Sequence, residues 1–289
     1  MTGTGRRHGG FDPVVAARLL DRVATLVAAG ASPPRAWELV GAVRTGPDAG
    51  GAARLVSAHP DVRAVLEVAA RTGAPVAPTL HSVAAALRRS AGADRAVVVA
   101  LAGPRTSATV VLALPVVGML LAAVGGVDTL GALTGAPLGR VSLAAATALV
   151  ALGRWWSRRL VRAVEPDGRI PGVLLDVWAV ALSGGGSWSG AGDAVRQTGL
   201  GGADDPVAQA RLSETLTLAR RAGVPAAALL RSAAEDLRDD AAADALAAAE
   251  RLGVRLVVPL GVCVLPAFVL VGVVPVVVAL LSSTVGDLT

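Results

Sequence analysis

Six charged residues recur in this sequence at matched spacings and are its strongest candidates for polar chemistry. They are Asp21, Glu38, Arg88, Asp176, Asp193 and Arg238. The first two acidic residues align with the later two at a spacing of 155, and the arginines align at a spacing of 150. A carboxylate repeated at one point of two segments could meet an arginine of a partner protein or hold a cation between the segments. The alternative, which we favour, is solvated helix faces or local ion pairs of little energetic value.

Catalytic, metal and cofactor sites find less support in the sequence. The 3 histidines are too scattered to form a metal set, and no Gly-x-Ser-x-Gly nucleophile motif is present. All 27 basic residues are Arg, and the absence of Lys excludes a Walker phosphate loop and a Lys-dependent enzyme. The run SGGGS at 183–187 therefore predicts a turn between helices rather than a phosphate site. The single cysteine, Cys263, lies in an apolar run, so we expect no internal disulfide and no Cys-based metal cluster. Taken together, these observations predict no enzyme, no metal and no cofactor.

The composition places the chain in the membrane class. Of its 289 residues, 53% are hydrophobic, and the mean hydropathy is +0.60. A net charge of +5 could indicate nucleic-acid binding, but basic residues in a membrane protein more often mark the cytoplasmic side. Because no basic stripe with interleaved aromatic residues occurs, we expect no nucleic-acid partner.

Three apolar runs predict membrane spans at 106–127, 138–153 and 256–281. The second is short, so Arg140 is expected to snorkel at its outer end, and it is followed by the aromatic and cationic run RWWSRR at 154–159. The third contains prolines, which kink a membrane helix without ending it.

The distribution of arginine predicts the topology. Thirteen arginines lie in 1–105 and thirteen in 154–255, whereas Arg140 alone lies between the first two spans and none follows Arg255. The positive-inside rule therefore places 1–105 and 154–255 in the cytoplasm, with a short outside loop at 128–137 and an outside tail at 282–289. Their helical periodicity predicts an all-α integral membrane protein with two cytoplasmic helical bundles and about three transmembrane helices.

The two polar segments are related by an internal repeat. RTGAPVAPTLHSVAAALR at 71–88 aligns with RAGVPAAALLRSAAEDLR at 221–238, and LLDRVATLVAAGAS at 19–32 aligns with LLDVWAVALSGGGS at 174–187. In both copies Gly73 or Gly223 is predicted to close one helix, and the proline two residues later to open the next. The sequence thus predicts a duplicated unit of helical bundle plus following span, with one additional span between the copies.

The repeated stretches resemble one known family. Five stretches resemble the type II secretion system F family. They are GASPPRAWELVG at 30–41, GAPVAPTLHSVA at 73–84, GGGSWSGAGDAV at 184–195, GVPAAALLRSAAEDL at 223–237 and the closing run at 253–281. That family includes the general secretion platform protein and the tight-adherence (Tad/Flp pilus) proteins B and C.

The resemblance implies a multi-pass platform in the cell membrane. Such a platform couples a separate secretion ATPase on the cytoplasmic side to the assembly of pilin-like proteins, and it associates with related platform subunits as a homo- or hetero-oligomer. The choice between the B and C types stays open.

The alternative function is a permease-like subunit of a transporter. It predicts polar residues at mid-membrane and usually more spans, whereas the predicted spans contain no Asp or Glu. Three spans beside two bundles of roughly 90–100 residues favour the platform.

Overall fold

The computed structural model describes residues 12–45, 59–103, 137–164, 168–200 and 205–273, with single positions between 106 and 120. Every regular element within these ranges is helical and none is a strand, which confirms the predicted all-α class. The first predicted span, at 106–127, lies almost wholly outside the described residues, as do the outside loop at 128–137 and the tail at 282–289.

Nine longer helices and a terminal segment make up the described chain. The helices before residue 163 are α1 (Pro13–Ala28), α2 (Pro33–Thr45), α3 (Pro60–Thr72), α4 (Val76–Ala100) and α5 (Pro137–Arg162). Those after it are α6 (Val173–Ser183), α7 (Trp188–Arg196), α8 (Pro206–Ala222) and α9 (Ala226–Arg255). The terminal segment consists of α10 (Val257–Pro259), a π-helical turn (Leu260–Val264), α11 (Leu265–Phe268) and a second π-helical turn (Val269–Val273).

Side-chain caps and prolines set several helix starts. Asp12 accepts hydrogen bonds from the N–H groups of Val14 (2.9 Å) and Val15 (3.4 Å) at the start of α1. Ser187 and Asp205 cap α7 and α8 in the same way. Because the first N–H groups of a helix have no partner within it, such caps stabilise each start by about 1 kcal/mol.

The two predicted copies share one turn in detail. Gly73 follows α3 with φ 68° and ψ 25°, and Gly223 follows α8 with φ 65° and ψ 26°. This left-handed conformation ends both helices, and it favours glycine because a Cβ atom would be strained there. Pro75 and Pro225 then immediately precede α4 and α9, so these glycines lie where the sequence predicts the helix ends.

The described chain divides into two units, one from 1–95 and 166–244, the other from 96–165 and 245–289. In the first unit, one hydrophobic cluster contains residues of both predicted copies. Leu20 and Leu175 are equivalent by the repeat, and neither has any exposed surface. Helix α6 contacts α3, α7 and α8, and α1 contacts α2. The helices of the two copies therefore pack into a common core.

The second unit pairs α5 with the terminal segment through small residues. A Cβ atom on Gly153 would lie 3.0 Å from the Cβ of Cys263, and the Ser142 hydroxyl donates to the carbonyl of Leu270 at 2.7 Å. Ala146 and Ala267 are buried in the same contact. Small residues let helix backbones approach closely, as they do in membrane helix pairs.

Within the described ranges, one helical stretch is long and apolar enough to cross a membrane, and it runs from α9 into the terminal segment, Ala226–Val271. Its most apolar window has a mean hydropathy of 2.4 and is 33% buried. It contains residues 256–271 of the predicted span at 256–281. The π-helical turns flank Pro266, which lacks an N–H group and forces a local change in hydrogen bonding. The predicted span at 138–153 lies within α5.

Candidate functional site

The first candidate site joins α1 to α4. Arg88 donates to the Asp21 carboxylate, and the His81 Nδ1 atom lies 3.1 Å from the second oxygen of the same carboxylate. The side chains of Asp21 and Arg88 are 29% and 48% exposed. Water therefore screens this ion pair on one side.

The second candidate site joins α6 to α9. Arg238 donates to the Asp176 carboxylate, and these side chains are only 5% and 15% exposed, respectively. Arg231 stands where the first copy has His81, and it donates to the Ser183 hydroxyl at 2.8 Å. Burial raises the pKa of Asp176 to about 6, although the nearby positive charge of Arg238 opposes the shift.

The structure therefore brings four of the six predicted residues together as two equivalent ion pairs. Each aspartate pairs with the arginine of its own copy, across 67 residues in the first and 62 in the second. A guanidinium stays protonated at any physiological pH, so such a pair holds two helices together and does not transfer protons. The geometry fits a structural link between the first and fourth helices of each copy.

The other two predicted residues form local pairs on their own helices. Glu38 accepts from Arg35 at 3.1 Å on α2, and Asp193 accepts from Arg196 on α7. All four side chains are exposed. Exposed pairs of this kind are worth about 0.3–0.5 kcal/mol, so neither fixes the fold. Contact of Glu38 and Asp193 with a partner stays a prediction.

One ion pair between the copies was not predicted. Arg89 on α4 lies 2.8 Å from Glu235 on α9. The repeat gives no signal for it, because the equivalent positions are Asp239 and Ala85.

A buried polar contact at the start of α3 was also not predicted. The ring of His59 lies 2.9 Å from the carbonyl oxygen of Gly168, and the Asp61 carboxylate accepts from the N–H of Ile170 at 2.9 Å. Both side chains are buried. They connect α3 to the segment that precedes α6. The sequence did contain one signal for this contact, since HPD at 59–61 places two polar side chains beside a proline at a helix start.

Metal binding has no support in the part of the chain that the structure describes. No group of three or more His, Cys, Asp or Glu residues within it is placed to hold a metal ion. Cys263 is buried and unpaired with another cysteine.

Comparison with models of protein families, with curated proteins and with solved structures finds no match. A functional assignment for this chain therefore depends on its residues and their geometry.

Proposed function

We propose that this chain is a platform protein of the cell membrane, in a type II secretion or Tad/Flp type IV pilus assembly machine. It would couple a separate secretion ATPase on the cytoplasmic side to the assembly of pilin-like subunits. The proposal rests on the family resemblance of the repeated stretches and on one structural observation, the equivalent ion pairs Asp21–Arg88 and Asp176–Arg238.

Those pairs support a duplicated scaffold. The order α1 to α4 is matched by α6 to α9, with left-handed glycines at the same turn. In both copies a charged pair links the first helix to the fourth. A helical body whose two copies share one hydrophobic cluster suits a protein that transmits force between partners.

The proposed membrane anchoring has support in the surface of the terminal segment. One side of it carries exposed apolar residues, namely Val258, Val262, Leu265 and Val269, which are 38–63% exposed. Val254, near the end of α9, is 75% exposed. Exposed apolar surface of this length is expected to face lipid. In the proposed topology the chain spans the membrane about three times, both copies are cytoplasmic and the C-terminus is outside, following the distribution of arginine.

The proposed contact with the ATPase uses the exposed acidic residues. Glu38 and Asp193 occupy equivalent positions, and their only described ion pairs are with arginines on the same helix. An arginine of a partner could replace those weak local pairs. With no lysine for a phosphate loop, the chain would depend on a partner for nucleotide energy.

Mild crosslinking of the tagged chain in its own membranes, followed by affinity purification and mass spectrometry, tests the proposal. We expect a secretion-type ATPase together with single-span pilin-like proteins. The double variant Glu38→Arg, Asp193→Arg should lose the ATPase, while the matched exposed variant Asp236→Arg, Asp240→Arg should retain it. Recovery of a transporter nucleotide-binding subunit, with no secretion ATPase or pilin, would support the permease-like alternative and overturn the proposal.

A further inference from the structure

The last turns of α5 carry a cluster of exposed positive charge. We define the cationic face by the residues Arg154, Trp155, Arg158, Arg159 and Arg162. Arg154 and Trp155 are consecutive, and each later member follows an earlier one by three or four residues, so all five lie on adjoining positions of one side of the helix. All five are exposed, and together with Ala151 they line one shallow surface groove.

None of these four arginines forms an ion pair with an acidic residue in the described ranges, and this distinguishes them from Arg88, Arg89 and Arg238. The guanidinium of Arg159 instead lies 5.6 Å from the ring centre of Trp155. A guanidinium stacked on an aromatic ring keeps its edge available for an anion.

The cationic face continues an apolar surface on the same helix. Val141 and Leu152 are 66% and 48% exposed, and Ala144 and Ala148 between them are also exposed. An apolar stretch that ends in tryptophan and arginine matches the order of acyl chain, interface and headgroup in a bilayer. The positive charge fits an anion, and the exposed apolar surface beside it points to a lipid rather than a soluble anion.

We propose that the cationic face binds the phosphate groups of anionic phospholipids. A guanidinium can donate two parallel hydrogen bonds to a phosphate, and four of them on one face also attract the net negative charge of the lipid. This inference does not require the platform function, because α5 packs against the terminal segment, and a bilayer that holds this segment would also contact α5. It predicts selection among lipids, which topology alone does not.

The test measures the lipids that the full-length chain retains. The protein is reconstituted into bilayers of equal phosphatidylglycerol and phosphatidylcholine and extracted in mild detergent, and the bound lipids are counted by native mass spectrometry. We expect the wild-type chain to enrich phosphatidylglycerol. The variant Arg154→Gln, Arg158→Gln, Arg159→Gln, Arg162→Gln should lower that enrichment about tenfold or more, because each arginine near an anionic surface strengthens binding roughly fivefold.

A control variant separates the cationic face from net charge. Four other arginines are exposed outside the cationic face, namely Arg18, Arg22, Arg63 and Arg211. Replacing these four by Gln removes the same amount of positive charge. We expect this control to keep the wild-type enrichment. An equal fall in both variants, or no fall in the first, would overturn the proposal. If the fourfold variant does not reconstitute, the pair Arg154→Gln, Arg158→Gln gives the same comparison, with a smaller expected loss.

Discussion

The ion pairs Asp21–Arg88 and Asp176–Arg238 join equivalent helices, yet their surroundings differ. Arg88 is 48% exposed, whereas Arg238 is 5% exposed. The second pair lies where α6 is contacted by α3, α7 and α8. The same ion pair thus joins equivalent helices in both copies, while the neighbours of those helices determine how much the ion pair contributes to stability.

Burial changes the energetic role of the pair more than its geometry. A pair open to water is worth about 0–1 kcal/mol, because solvent screens the charges and hydrates either partner when the other is lost. In a buried pair the loss of one partner leaves a charge without water or counterion. Replacing the same residue in the two copies therefore compares the two environments directly.

The largest difference is expected for the aspartates. Asp176→Ala leaves the buried guanidinium of Arg238 without its carboxylate, and should lower the free energy of unfolding by about 3–5 kcal/mol. Asp21→Ala leaves Arg88 hydrated and should cost about 1 kcal/mol or less. Thermal unfolding followed by circular dichroism should show a fall of about 10 °C for the first variant and a few degrees for the second. Equal shifts would contradict the difference in burial.

A difference in pH dependence is expected next. The folded-state pKa of Asp176 is raised to about 6 from 3.8, so the folded chain holds this proton more tightly than the unfolded chain. The stability from this group is present below about pH 4 and is lost as the pH rises through 6, by about 3 kcal/mol. In Asp176→Asn that loss should disappear, which thermal unfolding at pH 4, 5, 6 and 7 measures. If Asp176→Asn kept the wild-type loss of stability between pH 4 and 7, the raised pKa of Asp176 would be contradicted.

A steric difference between the copies should have an intermediate effect. A Cβ atom on Gly184 would lie 2.1 Å from the carbonyl oxygen of Thr72, at the end of α3. The equivalent residue in the first copy is Ala29, which already carries a Cβ atom. We expect Gly184→Ala to lower the free energy of unfolding by about 1–3 kcal/mol, since the backbones must separate. Ala29→Gly should change it by less than about 1 kcal/mol. A neutral Gly184→Ala would show that the two copies do not pack closely there.

Local structure in this chain was predictable because it depends on neighbouring residues. Periodicity indicated the helices, and the glycine and proline signals gave the ends of α3 and α8 at Gly73 and Gly223. The repeat also selected Asp21, Arg88 and their equivalents as a set. It did not predict that each aspartate meets the arginine of its own copy, because a separation of 67 residues carries no information about packing.

Two kinds of feature could not be predicted from the sequence: contacts that occur in only one copy, and the burial of a side chain by neighbouring helices. The contact of Asp61 with Ile170 lies in only one copy, since the residue equivalent to Asp61 is Arg211. The burial of Arg238 follows from the arrangement of whole helices around α6. A pattern of apolar residues shows which face of a helix is buried, but not which neighbour covers it.

The smallest effect is expected for the pair that joins the copies, Arg89–Glu235. Its side chains are 44% and 51% exposed, so a double-mutant cycle with Arg89→Ala and Glu235→Ala should give a coupling free energy of about 0.2–1 kcal/mol. The same cycle on Asp176 and Arg238 should give a value several times larger. High salt should weaken the first coupling more than the second, because exposed charges are screened by ions. A larger coupling for Arg89–Glu235 than for the buried pair would mean that contact between the copies, and not burial within one, dominates the electrostatic stability of this unit.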